Sequence, residues 1–152
     1  MNKIKEIIIS ILIPNAIGFL SALLSNVKDS FDTFNKPSFT PPGIVFPIVW
    51  TILYILMGIS SYLIYKDNST YKNGALKVYA IQLILNGLWS IIFFKFKAFF
   101  LAFIIIIILI ILTIIMIYKF YKINKVAGLL QIPYLIWLVL ALILSFNVFI
   151  LN

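Results

Sequence analysis

The sequence predicts an all-α polytopic membrane protein, a bundle of five transmembrane helices. Hydrophobic residues make up 64% of the 152 positions and charged residues 11%, whereas an ordinary soluble domain carries about 25% charged residues. The apolar residues fall into five runs, each close to the ~20 residues that a helix needs to cross a bilayer. The charged side chains lie between these runs or at their ends. Together these observations exclude a soluble globular protein.

The five runs define a single transmembrane domain over residues 1–152. The first run follows two lysines, as in a signal peptide, but it is long and ends without a good cleavage site, so we expect a retained helix. Within it, Pro14 predicts a kink and Gly18 a close contact with a neighbouring helix. The predicted spans cover residues 7–24, 44–65, 75–94, 98–118 and 126–151.

The first loop, residues 25–43, is the longest connection, and it ends in the stretch KPSFTPPG at 36–43. Proline fixes φ and donates no backbone hydrogen bond, so we expect this stretch to be extended and stiff. It leads directly into the second span, where Trp50 and Tyr54 lie one turn apart on one face. A rigid polar segment therefore precedes a membrane-length helix.

The later spans differ in their polar content. The short connection at 95–97 predicts that the third and fourth spans form an antiparallel hairpin. The fourth span is dominated by Ile and Leu, with little that is polar besides Thr113, and this pattern indicates a lipid-facing helix. The fifth span carries Gln131, Pro133 and Ser145 among its apolar residues.

The distribution of lysines predicts the orientation in the membrane. The net charge is +8, and the N-terminus with the second and fourth loops holds eight of the twelve lysines. By the positive-inside rule, the N-terminus faces the cytoplasm, and the first loop and the C-terminus lie outside the plasma membrane. The side predicted to be cytoplasmic holds Lys3, Lys5, Lys66, Lys72, Lys77, Lys119, Lys122 and Lys125.

The interior of the spans holds no Asp, Glu, Lys, Arg or His. Proton-coupled pumps usually need a membrane-embedded carboxylate, so the sequence argues against charge-driven transport. General acid–base and nucleophilic catalysis likewise lack their usual residues. The chain also contains no His and no Cys, so we expect no metal site and no required cofactor.

Uncharged polar and aromatic residues recur at helical spacing in three spans. One interpretation is that the amides only hydrogen-bond neighbouring helices and that the tryptophans anchor the protein at the membrane interface. The other is that the stripes converge on an aromatic, uncharged pocket suited to a flat apolar ligand. The stripes are Pro47, Trp50, Tyr54 and Ser61 in the second span, Tyr79, Gln82, Asn86 and Phe93 in the third, and Tyr134, Trp137, Ala141 and Ser145 in the fifth.

These motifs resemble the signature of the translocator protein family, also called the tryptophan-rich sensory protein or peripheral-type benzodiazepine receptor family. The resemblance includes KPSFTPPG with VFP and the following Trp50 and Tyr54, QLILNGLWS at 82–90, and LQIPYLIW at 130–137. The motifs occur in the family's order along nearly the whole chain. The resemblance implies a bundle of five helices, usually dimeric, with a pocket closed by the first loop.

The resemblance also implies the ligands and the residues that hold them. Family members bind porphyrins such as protoporphyrin IX, sterols in eukaryotes, and synthetic isoquinoline or benzodiazepine-type compounds. Some bacterial members are reported to break down porphyrin in light, with pocket tryptophans implicated, so Trp50 and Trp137 are the candidate catalytic residues. The implied ligand-binding residues are Trp50, Asn86 and Trp137 in the first rank, then Tyr54, Phe93 and Ala141, with Phe31 and Phe39 in the lid.

The chain departs from the family pattern in its lid and in its fifth span. Phe39 stands where tryptophan is common, Ser30 and Phe31 where Trp-Tyr is frequent, and Ser145 where asparagine is usual. The end of the fifth span lacks the tyrosine and basic residue of the vertebrate sterol motif. We therefore do not expect sterol binding there.

Taken together, the residues and the resemblance predict a receptor- or sensor-like membrane protein that binds tetrapyrroles between its helices. In this interpretation Trp50 and Trp137 stack on the macrocycle, Asn86 binds a polar edge, and Lys28 or Lys36 meets the propionates. Without His or Cys the pocket favours metal-free porphyrin over haem. The alternatives are light-dependent porphyrin degradation and passive transport of lipophilic molecules. The expected partners are a porphyrin or similar small molecule, the lipid bilayer and a second copy of the chain, with no nucleic acid.

Overall fold

The computed structural model describes residues 2–152, apart from the side chain of Lys28. Over this range the regular elements are helical, and five helical segments are long and apolar enough to cross a membrane. The predicted all-α fold with five transmembrane helices is confirmed. The helices are α1 Lys3–Ser25, α2 Val27–Ser30, α3 Val45–Tyr65, α4 Lys72–Ser90, α5 Phe99–Ile123, α6 Lys125–Leu129 and α7 Ile132–Leu151.

The fourth and fifth spans show the clearest differences from the spans expected from the sequence, while α1 and α4 begin three or four residues early. Helix α5 continues to Ile123, beyond the expected end at 118, because lysine is a good helix former and its charge reaches the head groups. The fifth span is divided into α6 and α7 by a turn before Ile132. Pro133 lies in the first turn of α7. Backbone N–H groups there have no partner within the helix, so the missing N–H of proline costs no hydrogen bond.

The first loop is partly helical, which the sequence did not indicate. Asn26 adopts a left-handed conformation, with φ of 53°, and ends α1. The chain then forms α2 and a 3₁₀ turn over Phe31–Thr33 before the proline stretch. In that stretch a tight turn joins the Thr40 N–H to the Pro37 carbonyl at 3.1 Å.

Helix α1 packs closely along α3, where proline and glycine make the approach possible. Pro14 has no N–H for the Ser10 carbonyl, which lies against Gly58 of α3. A methyl group on Gly58 would lie 2.7 Å from the Ser10 oxygen and would also collide with the Ile11 backbone. Further along α1, Gly18 leaves the space that the Tyr54 ring occupies. Both glycines therefore bring α1 and α3 together beside the predicted site.

Helix α5, expected to face the lipid, also has a buried face, which was not predicted from the sequence. It packs against α4 and α7, and the residues of one stripe are buried. Ile and Leu suit both lipid and protein neighbours, so a span rich in them carries no sequence signal for its inner face. The buried residues are Ala102, Ile105, Ile106, Leu109, Thr113, Met116 and Phe120.

The order of packing places α3 and α7 at the site. Helix α1 packs on α3 and α4, and α5 packs on α4 and α7. Aromatic side chains then join α3 to α7 across the bundle. The predicted pocket residues of these two helices therefore face each other.

Candidate functional site

Aromatic rings from α3 and α7 form a compact cluster, here called the aromatic site: Phe46, Trp50, Tyr54, Tyr134 and Trp137. The Trp50 ring stacks on the Tyr54 ring, with centroids 5.4 Å apart and an angle of 24° between the planes. It meets Trp137 edge-to-face at 6.3 Å and 90°, and Tyr134 at 6.2 Å. These distances fall within the usual 4.5–7 Å range of attractive aromatic pairs. The cluster joins two of the three sequence stripes.

A chain of hydrogen bonds runs beneath the rings and adds the third stripe. The Tyr54 hydroxyl donates to Asn86 Oδ1 at 2.7 Å. Asn86 Nδ2 donates to the Tyr134 hydroxyl at 2.9 Å, and that hydroxyl donates to Gln82 Oε1 at 2.8 Å. All four side chains are buried. Each group donates to the next, from Tyr54 through Asn86 and Tyr134 to Gln82. We call this series the polar chain.

Helical spacing explains why these side chains converge. Trp50 and Tyr54 are four residues apart in α3, as Gln82 and Asn86 are in α4, so each pair lies on one face. Tyr134 lies in the first turn of α7, and its hydroxyl bonds both amides of α4. In a bilayer core such polar groups have no water to bind, and here they bind partners on other helices, except for Gln82 Nε2, which has no partner among the described residues. The polar chain is therefore both a helix–helix contact and the polar floor of the aromatic site.

The first loop reaches the aromatic site through Phe31 and Phe46. The Phe31 ring lies 5.5 Å from Phe46, and Phe46 lies 5.7 Å from Trp137. Lys36 holds this part of the loop, because its ammonium donates to the carbonyls of Phe31 and Phe34 at 2.6 and 3.2 Å. The same ammonium lies 4.7 and 4.8 Å from the centroids of those two rings.

The structure therefore gives Lys36 a role in shaping the loop, and its contact with a propionate stays a prediction. Lys28, the other candidate for that contact, has its side chain outside the described residues. The part of the site that the structure describes is uncharged.

Other predicted site residues are placed differently. Phe93 belongs to a second aromatic cluster, where its ring lies 5.0 Å from Trp89 and 5.3 Å from Phe34 of the first loop. Ala141 is buried in α7, one turn beyond Trp137. Phe39 is 52% exposed. The structure thus brings Trp50, Tyr54, Asn86 and Trp137 together, with Phe31 at their edge.

The second cluster anchors the first loop to the bundle. The Phe34 ring is buried against Phe93, Phe94 and Phe99, with centroids 5.3 to 6.1 Å apart. Phe93 and Phe94 lie in the wider turn Ile91–Lys95, where the last hydrogen bonds of α4 change to i→i+5. Phe93 therefore supports the loop that covers the site.

A pair of asparagines fastens the same loop to the end of α7; we call it the latch. The Asn35 N–H donates to Asn152 Oδ1 at 3.1 Å, and Asn152 Nδ2 donates to the Asn35 carbonyl at 2.8 Å. Asn35 Nδ2 also donates to the Leu151 carbonyl at 3.3 Å. These bonds are exposed and span 117 positions of sequence, so no local pattern predicted them.

Three contributors to the site were not ranked among the binding residues from the sequence. Phe46 connects the loop to Trp137, and its spacing of four residues from Trp50 was the available signal. Tyr134 and Gln82 belonged to the predicted stripes but were not ranked among the binding residues. Both are central to the polar chain.

The aromatic site offers flat apolar ring faces beside neutral hydrogen-bonding groups. The described residues contain no group of three His, Cys, Asp or Glu side chains able to hold a metal ion. A planar guest between two rings needs about 7 Å between their planes, twice the ~3.5 Å contact distance. Trp50 and Trp137 stand perpendicular at 6.3 Å, so one of them must turn before a guest stacks between them.

Comparison with known proteins gives a family match over most of the chain. The TspO/MBR family profile matches residues 10–151. The chain is 37% identical to tryptophan-rich protein TspO of Archaeoglobus fulgidus, over 100% of this chain and 99% of that one. It is 34% identical to the tryptophan-rich sensory protein of Cereibacter sphaeroides, over 80% and 76%. It is 31% identical to the translocator protein of Sus scrofa, over 90% and 84%.

Proposed function

Because the chain belongs to the TspO/MBR family of membrane proteins, we propose that it is a receptor- or sensor-like protein that binds tetrapyrroles of the protoporphyrin IX type. The observation that carries this proposal is the aromatic site over its buried polar chain. Three helices supply flat rings and neutral hydrogen-bonding groups there, with no charge among them. Such a lining matches a large, flat and mostly apolar ring system.

Binding in this site takes place by rearrangement of rings that now touch each other. Trp137 turns away from its edge-to-face contact with Trp50, and the macrocycle then packs against the surfaces of the two indoles that now contact each other. Phe46 lies against Trp137, and Phe31 of the first loop lies against Phe46. When Trp137 turns, these rings move with it, and the inner edge of the first loop is displaced. The loop therefore acts as a lid whose opening is coupled to the position of Trp137.

Asn86 supplies the polar contact. Its Oδ1 accepts from Tyr54, and its Nδ2 donates to Tyr134, so a ligand group at this position replaces one of the two tyrosines. A neutral amide can both donate and accept, which suits pyrrole N–H groups as well as ligand oxygen atoms. In our proposal the protein acts at the plasma membrane, with the lid on the outer side and two copies per assembly.

A titration of purified protein with protoporphyrin IX tests the proposal. Porphyrin absorbance is the readout, because it is independent of which tryptophans remain. We expect saturable binding that weakens by about 0.5–1.5 kcal/mol in Trp50→Phe and in Trp137→Phe, the usual value of an aromatic contact. Trp89→Phe is the matched control, since Trp89 lies in the second cluster against Phe93.

Equal losses in all three variants would contradict a site at Trp50 and Trp137, as would non-saturable partitioning of the porphyrin. Iron protoporphyrin provides a further comparison. The site has no His or Cys to bind the iron, so we expect it to bind more weakly than the metal-free ring.

Light-dependent porphyrin degradation is the second candidate function, and the closeness of the oxidisable rings favours it. The Trp50 ring centroid lies within 6.3 Å of those of Tyr54, Tyr134 and Trp137. When light transfers an electron from Trp50 to the porphyrin, these neighbouring rings can donate an electron to Trp50. Repeating the titration in air, in darkness and under illumination, separates the functions. A binding protein leaves the rate of porphyrin bleaching in light no higher than in a protein-free control, whereas an enzyme accelerates it with turnover, and Trp50→Phe abolishes that acceleration. Appearance of intact porphyrin inside sealed liposomes would indicate passive transport instead.

A further inference from the structure

A groove on the outer surface lies between α1, α3 and α4, at the end of the bundle opposite the first loop; we call it the lipid groove. Its volume is about 160 Å³. Helix α3 ends beside it and α4 begins there, whereas the aromatic site lies near the start of α3. The lining residues are Ser10, Ile13, Ser61, Tyr65, Leu76 and Tyr79.

The lipid groove is apolar within and open along one side. Ile13 and Tyr65 are 49% and 53% exposed, so its walls continue onto the outer surface of the bundle. Its polar atoms are turned inward, because the Tyr79 oxygen is buried and the Ser61 hydroxyl donates to the Gly58 carbonyl at 2.9 Å. A cavity of about 150 Å³ holds a molecule the size of benzene. The groove therefore accommodates a segment of one acyl chain that enters from the bilayer.

A lysine of α4 lies where the lipid groove meets the membrane surface. Lys72 precedes Leu76 and Tyr79 by four and seven residues, so it continues the groove-lining face of α4 towards that surface. Its ammonium lies 5.7 Å from the centroid of the Tyr65 ring and donates to the Tyr65 carbonyl at 3.0 Å. An ammonium has three N–H donors, so this bond leaves further donors for a ligand.

Helix α1 brings a second lysine to the same side. Lys3, Glu6, Ser10 and Ile13 follow steps of three, four and three, which places them on one face of α1. Ser10 and Ile13 line the lipid groove, so Lys3 and Glu6 lie beyond it towards the membrane surface. Lys3 is exposed at the start of the helix.

The charge at this end of the bundle selects an anionic occupant. This end carries eight lysines against two acids, Glu6 and Asp67, whereas the opposite end carries four lysines against two acids. The positive excess attracts a phosphate group, and the long lysine side chains reach the head-group level. A second copy of the chain packed on this end in a symmetric contact would bring like charges together.

We propose that the lipid groove is a binding site for an anionic phospholipid. One acyl chain lies in the groove against Ile13 and Leu76, and the phosphate lies between Lys72 and Lys3 at the membrane surface. This site is independent of the tetrapyrrole site, because the two lie at opposite ends of α3.

Photolabelling with a phosphatidylglycerol that carries a diazirine on one acyl chain tests the proposal on the full chain in phosphatidylcholine nanodiscs. We expect adducts concentrated on the groove residues, mapped by mass spectrometry. Excess unlabelled phosphatidylglycerol should reduce them more strongly than the same amount of added phosphatidylcholine. Lys72→Gln should lower the labelling about fivefold, the effect of one basic side chain at an anionic membrane surface.

Lys122→Gln is the matched control and should leave the groove labelling unchanged. Lys122 lies at the same end of the bundle, with its ammonium 5.2 Å from the centroid of the Tyr118 ring, but on α5, which does not line the groove. A second variant, Ser10→Leu, fills the groove from α1 and should remove the adducts while leaving Lys72 in place. Protoporphyrin IX titrations of Lys72→Gln and Ser10→Leu should match the unmodified protein, which separates the two sites.

Equal competition by the two phospholipids would overturn the proposal, as would equal losses in Lys72→Gln and Lys122→Gln. Adducts spread evenly over lipid-facing positions such as Ile111 and Ile114 would also overturn it. Cross-links that join two copies of the chain across the groove would assign this surface to a protein contact instead.

Discussion

Replacing Tyr134 by phenylalanine tests the polar chain at its centre. The variant keeps the buried ring and removes one hydroxyl, which accepts from Asn86 Nδ2 at 2.9 Å and donates to Gln82 Oε1 at 2.8 Å. Hydrogen bonds between transmembrane helices contribute about 0.6 kcal/mol on average and up to about 1.7 kcal/mol. Loss of two such bonds should therefore lower the free energy of unfolding by about 1–3 kcal/mol. Tyr54→Phe, which loses one bond to Asn86, should lower it by about half as much.

Reversible unfolding by SDS in mixed micelles, followed by far-UV circular dichroism, measures these differences. Tyr118→Phe provides the baseline, since its hydroxyl lies on an exposed ring of α5. The double variant of Tyr54 and Tyr134 should lose less than the sum of the single losses, because bonds in a chain strengthen one another and each single variant already weakens the bond left on Asn86. The reasoning fails if Tyr134→Phe is as stable as Tyr118→Phe, or if Tyr54→Phe is the more damaging of the two single variants.

Three further outcomes follow from the packing. Gly58→Ala should push α1 away from α3 and lower the free energy of unfolding by about 1–3 kcal/mol. Gly74→Ala is the control, because open space surrounds Gly74, and it should be neutral or stabilising. Equal effects of the two substitutions would refute the close contact. Asn35→Ala removes one side-chain bond of the latch and should speed hydrogen exchange in the first loop, with exposed Asn68→Ala as the control. Lys36→Met should speed proteolysis of the same loop, because the Phe31 and Phe34 carbonyls lose their donor; unchanged cleavage would contradict that role.

The membrane fold could be predicted from the sequence because hydropathy and length specify spans directly. Five apolar runs gave five spanning helices, and errors were confined to ends and interruptions such as the turn before Ile132. The site stripes were also predictable, since a polar side chain in a bilayer turns towards protein. Asn86, Gln82 and Tyr134 lie on inner faces for this reason.

The inner face of α5 could not be predicted in the same way. In water, burial separates apolar from polar residues, but in lipid an isoleucine is equally suited to either side of a helix. Around Ile106 and Leu109 the buried stripe therefore resembles the lipid-facing stripe through Ile108 and Ile111, and Thr113 is the polar side chain that marks the inner face.

By itself, the sequence determined the membrane class, the helices and the three faces that carry aromatic and amide side chains, because local spacing and hydropathy depend only on neighbours along the chain. The tertiary structure alone decided which of these side chains meet. It joined Tyr54 to Asn86 and Asn86 to Tyr134, fastened Asn35 to Asn152, and left Phe39 outside. Hydrogen bonds of 2.7–2.9 Å between helices depend on how those helices are placed and rotated. Packing between residues far apart in sequence sets that placement, so no local pattern encodes it.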